Sequence, residues 1–214
     1  MCEVRSSEWS GSGAAMMIRD AAQADLASIV AIYNAAIPGR VATADTSPVT
    51  VESRRPWFEE HDPHRRPLWV AEEGRAIIGW LSFQSFYGRP AYHATAEVSV
   101  YVTPSHQGKG IGRTLLEKAV AGAPGLGLRT LLGFIFGHNA PSLGLFERLG
   151  FQRWAVLPRV AELDGVERDL VIMGKRLFSE GASTAPSETS PQEGLRGQSP
   201  RSNAAGPEAQ GERR

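Results

Sequence analysis

Residues Thr95 to Leu116 read TAEVSVYVTPSHQGKGIGRTLL, and no other stretch of the chain constrains the fold so closely. Val98, Val100 and Val102 alternate along one face of a strand that stops before Pro104. After a short polar turn, Gln107-Gly108-Lys109-Gly110-Ile111-Gly112 runs straight into a helix. A strand, a glycine-rich turn and a helix N-terminus make an anion cradle. Glycines let the backbone approach a ligand, and the first-turn N–H groups, which lack intrahelical partners, point at it. A diphosphate suits such a cradle.

The spacing decides which diphosphate. A dinucleotide site needs G-x-G-x-x-G, and a nucleoside-triphosphate loop needs G-x-x-x-x-G-K followed by Ser or Thr. Here the glycines at 108, 110 and 112 are followed by Arg113, position 115 holds Leu115, and Lys109 precedes Gly110. Both nucleotide patterns fail. The run Gln107-x-x-Gly110-x-Gly112 directly after a Val-rich strand instead resembles the acyl-coenzyme A signature of the GNAT superfamily of N-acetyltransferases. The resemblance implies acetyl-coenzyme A as cosubstrate. It implies contacts from Val100, Tyr101 and Val102, from Gln107, Gly108, Lys109, Gly110, Ile111, Gly112 and Arg113, and from Asn139 and Ser142. Gly112 is expected to leave space for the diphosphate.

Working outward, the elements follow the order of that family. Met17-Ile18-Arg19 begins a strand, and Leu26, Ile29, Val30, Tyr33 and Ile37 recur at helical spacing until Pro38-Gly39. Thr50 caps a second helix carrying Trp57 and Phe58. Leu68–Glu72 and Ala76–Phe86 form a hairpin around Glu73-Gly74, and the helix from about Gly108 to Gly122 buries Ile111, Leu115, Leu116 and Ala119. Thr130–Phe136 is a strand, Ala140–Leu149 a helix closed by Gly150, and two last strands flank Asp164-Gly165. The expected fold is α/β: a single domain with a GNAT-like mixed, largely antiparallel central sheet flanked by helices, with parallel crossovers around the two later helices. The domain is expected over 16–178, after an N-terminal extension over 1–15. Residues 179–214 are rich in Gly, Ser, Pro, Glu and Arg, and such a tail does not offset its ordering entropy by burial, so disorder is expected there.

Composition fits a soluble enzyme. The chain has 214 residues, 42% of them hydrophobic, with 23 basic against 23 acidic residues, and this balance gives no electrostatic reason to expect nucleic acid or an anionic membrane as partner. The single Cys2 precludes an intramolecular disulfide or a cysteine-based zinc site and suits a reducing, cytoplasmic compartment. No apolar run approaches the roughly 20 residues that span a bilayer. The five histidines show no metal-ligand spacing, so no metal is expected, and His61 and His64 read as a surface loop.

Acetyl transfer to an amine requires a neutral amine, a stabilised oxyanion and a departing thiolate. The resemblance implies a backbone N–H of the Val100–Val102 strand for the oxyanion, with Val102 as the matching donor; such donors are worth about 3 kcal/mol. It also implies that Glu97, the one acid of this strand, takes the proton, since a carboxylate shielded from water gains a raised pKa. Alternation by itself also allows Glu97, Ser99 and Tyr101 to be an ordinary polar face. Asn139-Ala140-Pro141-Ser142 and the ending Leu149-Gly150-Phe151 are similar to the pantetheine-side motif of the family, although Asn139 equally suits a helix cap. Phe146 stands where many relatives carry Tyr or His, so no general acid is assigned.

Within the superfamily the chain resembles the phosphinothricin and methionine sulfoximine acetyltransferase group. The resemblance rests on Ala31-Ile32-Tyr33-Asn34, Thr43–Pro48, Trp57-Phe58, Phe86–Pro90 and Glu97–Val102. It implies a small amino-acid-like amine as substrate, Arg89 as partner of the substrate's carboxylate, walls from Phe86, Tyr87 and Tyr92, Glu97 at the amine, and a homodimer. A protein N-terminus, a polyamine or an aminoglycoside is the alternative amine, and a non-catalytic acyl-coenzyme A sensor is the alternative role.

Overall fold

The computed structural model describes residues 15–177, so the tail over 179–214 and nearly all of the N-terminal extension lie outside the described residues. The strands are β1 (Met17–Asp20), β2 (Leu68–Glu73), β3 (Ala76–Ser85), β4 (Thr95–Val102), β5 (Thr130–Phe136), β6 (Gln152–Leu163) and β7 (Val166–Arg176). The helices are α1 (Leu26–Ala36), α2 (Val51–Glu59), α3 (Ile111–Gly122) and α4 (Ala140–Arg148). They build one seven-stranded sheet in the order β1-β2-β3-β4-β5-β7-β6. Every neighbouring pair is antiparallel except β4 and β5, which run parallel across the α3 connection. The second expected parallel crossover is not a neighbouring pair. The β6–β7 hairpin folds back with β7 inside, so β7 separates β5 from β6 and leaves β6 as the edge.

Turn chemistry explains the hairpin. Asp164 and Gly165 both sit at positive φ (51° and 77°), the two-residue turn whose twist matches paired strands. Thr50 accepts a hydrogen bond from the Ser53 N–H at 3.1 Å and so starts α2. In α3 the expected stripe of Ile111, Leu115, Leu116 and Ala119 is buried against Ala96, Val98, Leu131 and Phe146. Burying each of those leucines contributes roughly 1.5–3 kcal/mol. The opposite face of the sheet carries Leu68, Val70 and Trp80, packed under Ile29 and Ile32 of α1 with Trp57 and Phe58 of α2.

One irregularity of the sheet positions the site. β4 and β5 pair only at Thr95↔Thr130, Ala96↔Leu131 and Glu97↔Leu132, then part, although both strands continue. The Thr103 N–H donates to Ile78 O at 2.9 Å, so the odd-numbered residues of β4 face β3 with their backbone groups and the even-numbered ones face β5. Thr130 N–H donates to Ala94 O at 3.1 Å, and carrying that register forward makes Val98 N–H to Leu132 O the last rung. Val100 and Val102 therefore turn their N–H groups into the gap with no rung to receive them.

Candidate active site

Two cavities meet at the parting strands. The larger, about 420 Å³, fills the gap and is lined by Val98, Val100, Phe134, Ile135, Phe136, Asn139, Ser142, Phe146 and Val160, with Val41–Ala44 above them. The smaller, about 200 Å³, lies under the helices α1 and α2 and is lined by Ile29, Tyr33, Arg54, Trp57, Trp80, Ser82 and Gln84. Glu97, Ser99 and Tyr101 line both. The polar face of β4 is thus a shielded wall between two chambers rather than a solvent face. Burial pushes the Glu97 carboxyl above its ordinary range, and a hydrogen bond with Ser99 opposes that shift only in part. Burial likewise raises the Tyr101 hydroxyl, which keeps its proton and donates it to Ala42 O at 3.0 Å.

At the far end of the gap, past Val102, comes the glycine turn. Gly108 and Gly110 sit at φ 75° and 86°, in the left-handed region that L side chains rarely adopt, and nothing lies within 4 Å of where their Cβ atoms would be. Gly110 immediately precedes α3, and no side chain caps that helix. The helix therefore opens on bare N–H groups beside free space, with Lys109 in the turn, Arg113 held by Glu117 at 2.7 Å, and Gln107 Nε2 donating to Val102 O at 3.4 Å. Gly112 does not serve as expected. A Cβ there would meet Leu145, Val102 and Val100 side chains at 3.6–4.0 Å, ordinary contact distance, so this position faces the core and not the open space beside the turn.

Asn139 caps α4: its Oδ1 accepts the Ser142 N–H at 3.2 Å while Nδ2 donates to Val41 O at 2.9 Å. It is both the cap that sequence allowed and a wall of the larger cavity. Phe146 fills the face left open by Gly133, where a Cβ would come within 2.4 Å of the ring, so its place is set by packing. The segment 40–45 straps the two chambers. His138 Nε2 and Asn139 hold the carbonyls of Arg40 and Val41, while Tyr101 holds Ala42 and the Tyr33 hydroxyl binds Thr43 and Asp45.

The expected amine-side residues divide. Phe86, Tyr87 and Tyr92 pack on one another, with Phe86 stacked 6.5 Å from Phe134, at the end of β3 and outside both linings. Arg89, on the same loop, lines neither cavity. The smaller chamber is instead walled by Tyr33, Arg54, Trp57 and Trp80. Arg54 and Trp80 carried no signal in sequence, because nothing in a linear text shows α2 folding over β3 and β4. His61 also departs from a surface loop: its Nδ1 donates to Trp57 O at 2.8 Å, and burial pushes its pKa down. Among the described residues no group of three His, Cys, Asp or Glu side chains is arranged to hold a metal ion, and no helix is long and apolar enough to cross a membrane.

Comparison with known proteins agrees with this geometry. Residues 29–151 match the acetyltransferase (GNAT) family. YwnH of Bacillus subtilis, whose name assigns it provisionally to phosphinothricin acetylation, is 52% identical over 163 residues, 76% of this chain and 99% of that protein. The L-methionine sulfoximine/L-methionine sulfone acetyltransferase of Salmonella typhimurium is 35% identical over 79% of this chain and 99% of its own length. A crystal structure of a phosphinothricin acetyltransferase from Sinorhizobium meliloti in complex with acetyl-coenzyme A superimposes with a TM-score of 0.73 at 32% identity, covering 81% of this chain and 94% of that one. On the sequence match, the parted strands and the glycine turn together, the chain belongs to the GNAT family of N-acetyltransferases.

Proposed function

We propose that the protein transfers the acetyl group of acetyl-coenzyme A to the α-amino group of a small amino-acid-like compound of the phosphinothricin or methionine sulfoximine kind. The observation that carries this reading is the shared wall: two chambers of different chemistry meet at Glu97, Ser99 and Tyr101. The larger chamber fits the acyl carrier, because backbone donors face it and it leads to an uncapped helix end suited to a diphosphate. Val100, Tyr101, Val102, Gln107–Arg113, Asn139 and Ser142 would hold the carrier, which when bound supplies a thioester carbon open to attack.

The chain's own groups then have separate tasks. Glu97, shielded and raised in pKa, accepts a proton from the amine directly or through one water. The N–H that steadies negative charge on the acyl oxygen is Val100 in our reading, in place of Val102. At about 3.3 Å per residue, Val102 lies about 16 Å along the strand from Glu97 and Val100 about 10 Å, and Val100 is the first amide past the last rung. Val102 then faces the carrier's arm nearer the turn. Phe86, Tyr87, Arg89 and Tyr92 line neither chamber and are given no part in holding the amine.

The smaller chamber's volume favours a single small amine over a protein N-terminus or an aminoglycoside. β6 presents Trp154, Val156 and Val160 at 47–56% exposure on an edge strand, which supports pairing with a second copy as a homodimer. The single cysteine suits a cytoplasmic setting. Thiol release from acetyl-coenzyme A, followed across phosphinothricin, methionine sulfoximine, ordinary amino acids and polyamines, tests the reading. Turnover led by the first two supports it, and acetyl-coenzyme A binding without turnover on any amine replaces it with the sensor role.

A further inference from the structure

We infer that Arg54, held from behind by Asp45, is the residue that selects amines bearing a carboxylate; the inference rests on the proposed acetyltransferase reading and deepens it. Among the described residues lining the two chambers, Arg54 is the only Lys or Arg, and it stands in the same chamber as Glu97. An α-amino acid brings one cation and one anion on neighbouring carbons. A chamber offering one carboxylate and one guanidinium is matched to that pair, whereas a simple amine would make no use of the guanidinium donors that Asp45 leaves over.

The placement of Arg54 fits recognition better than a purely structural clamp. Its Nη2 donates to Asp45 Oδ2 at 2.8 Å, and this is its one side-chain hydrogen bond among the described residues. Nε and Nη1 keep their donors, and Asp45 itself lines neither chamber. The guanidinium lies 4.7 Å from the Tyr33 ring centroid and 5.9 Å from that of Trp57. Two aromatic faces and one carboxylate therefore fix the plane of the fork while leaving part of it free to accept a second, incoming carboxylate. Asp45 is in turn fixed by the Tyr33 hydroxyl, which makes it a positioning residue rather than a competitor for the site. Arg89, on the loop after β3, lines neither chamber and is not matched to this role.

The test compares one amine with and without its carboxylate: L-methionine sulfone against its carboxamide, using the full-length protein. Arg54→Met should raise KM for the acid about 10- to 100-fold, the span of a charged hydrogen-bonded pair, and KM for the amide less than threefold. Arg54→Lys, which keeps charge but loses the planar fork, should fall between. Asp45→Asn should raise KM for the acid several-fold with kcat nearly kept. Acetyl-coenzyme A affinity, measured on each variant by calorimetry, shows that the fold persists. Equal changes for acid and amide in Arg54→Met, or an acid-specific loss in Arg89→Met in its place, would overturn the assignment, and a lowered KM in Asp45→Asn would make Asp45 a competitor. If the wild type turns over no amine, the acetyltransferase reading fails separately. Calorimetric binding of the acid against the amide then still reads the role of Arg54, and equal binding by wild type and Arg54→Met overturns it.

Discussion

The two chambers that meet at Glu97 are built in opposite ways. The side proposed for the acyl carrier is made from backbone: bare N–H groups of Val100 and Val102, left-handed glycines at 108 and 110, and the uncapped start of α3, nearly all within one stretch of chain. The side proposed for the amine is made from side chains brought together from α1, α2, β3 and β4, with the 40–45 strap behind them. A site for an invariant carrier is served by main-chain donors, which no substitution except one to proline removes. A site that must choose among amines is served by side chains that substitution can exchange.

This contrast ranks the outcomes expected from substitution. Glu97→Gln should lower kcat about 10²- to 10⁴-fold, the range for a positioned general base, while acetyl-coenzyme A affinity by calorimetry stays put. Unchanged turnover at saturating amine would remove Glu97 from the chemistry. Gly110→Ala forces a side chain into φ 86° at a cost of about 1–2 kcal/mol, so acetyl-coenzyme A should bind roughly tenfold more weakly. Gly112→Ala, whose Cβ meets neighbours only at ordinary contact distance, should change the dissociation constant less than twofold. Equal losses at both positions would mean that the turn works by space and not by backbone conformation.

In its proposed role, Glu97 would couple activity to stability with opposite signs. Its carboxyl is raised by burial, so kcat/KM should fall as pH drops through a value above the ordinary glutamate pKa of about 4.3. A carboxyl that holds its proton more tightly when folded lends stability that is complete below the unfolded pKa and lost as pH rises through the folded one. Glu97→Gln, which carries no charge at any pH, should therefore melt above the wild type at pH 8 and level with it near pH 4. A variant melting below the wild type at pH 8 would show that the carboxylate is a structural partner. The smallest effect concerns the helix bearing Arg54: Thr50→Ala loses its cap bond and should cost about 1 kcal/mol in thermal unfolding, with KM for amines shifting more than affinity for the carrier.

The same contrast explains what could be read in the sequence. Local rules apply where the site is local. The glycine turn, the α3 stripe, the Thr50 cap and the Asp164-Gly165 turn all stand where spacing and turn chemistry put them. Resemblance added Glu97, whose burial no alternation pattern reveals, because the pattern says only that it lies opposite Val98 and Val100. The parting of β4 from β5 is a property of pairing between distant segments, and it moves the proposed acyl-oxygen donor from Val102 to Val100. The face that Gly112 turns to the core depends on Leu145, 33 residues on, and Arg54 enters its chamber only once α2 lies across the sheet.

A crystal structure of the protein with acetyl-coenzyme A bound is the most direct test of the chamber geometry. The thioester oxygen should lie about 3 Å from the Val100 nitrogen, with the acyl carbon facing the wall formed by Glu97 and Ser99 and the diphosphate over the bare amides after Gly110. A thioester oxygen resting on the Val102 nitrogen, or a carrier that does not enter between β4 and β5, would contradict it.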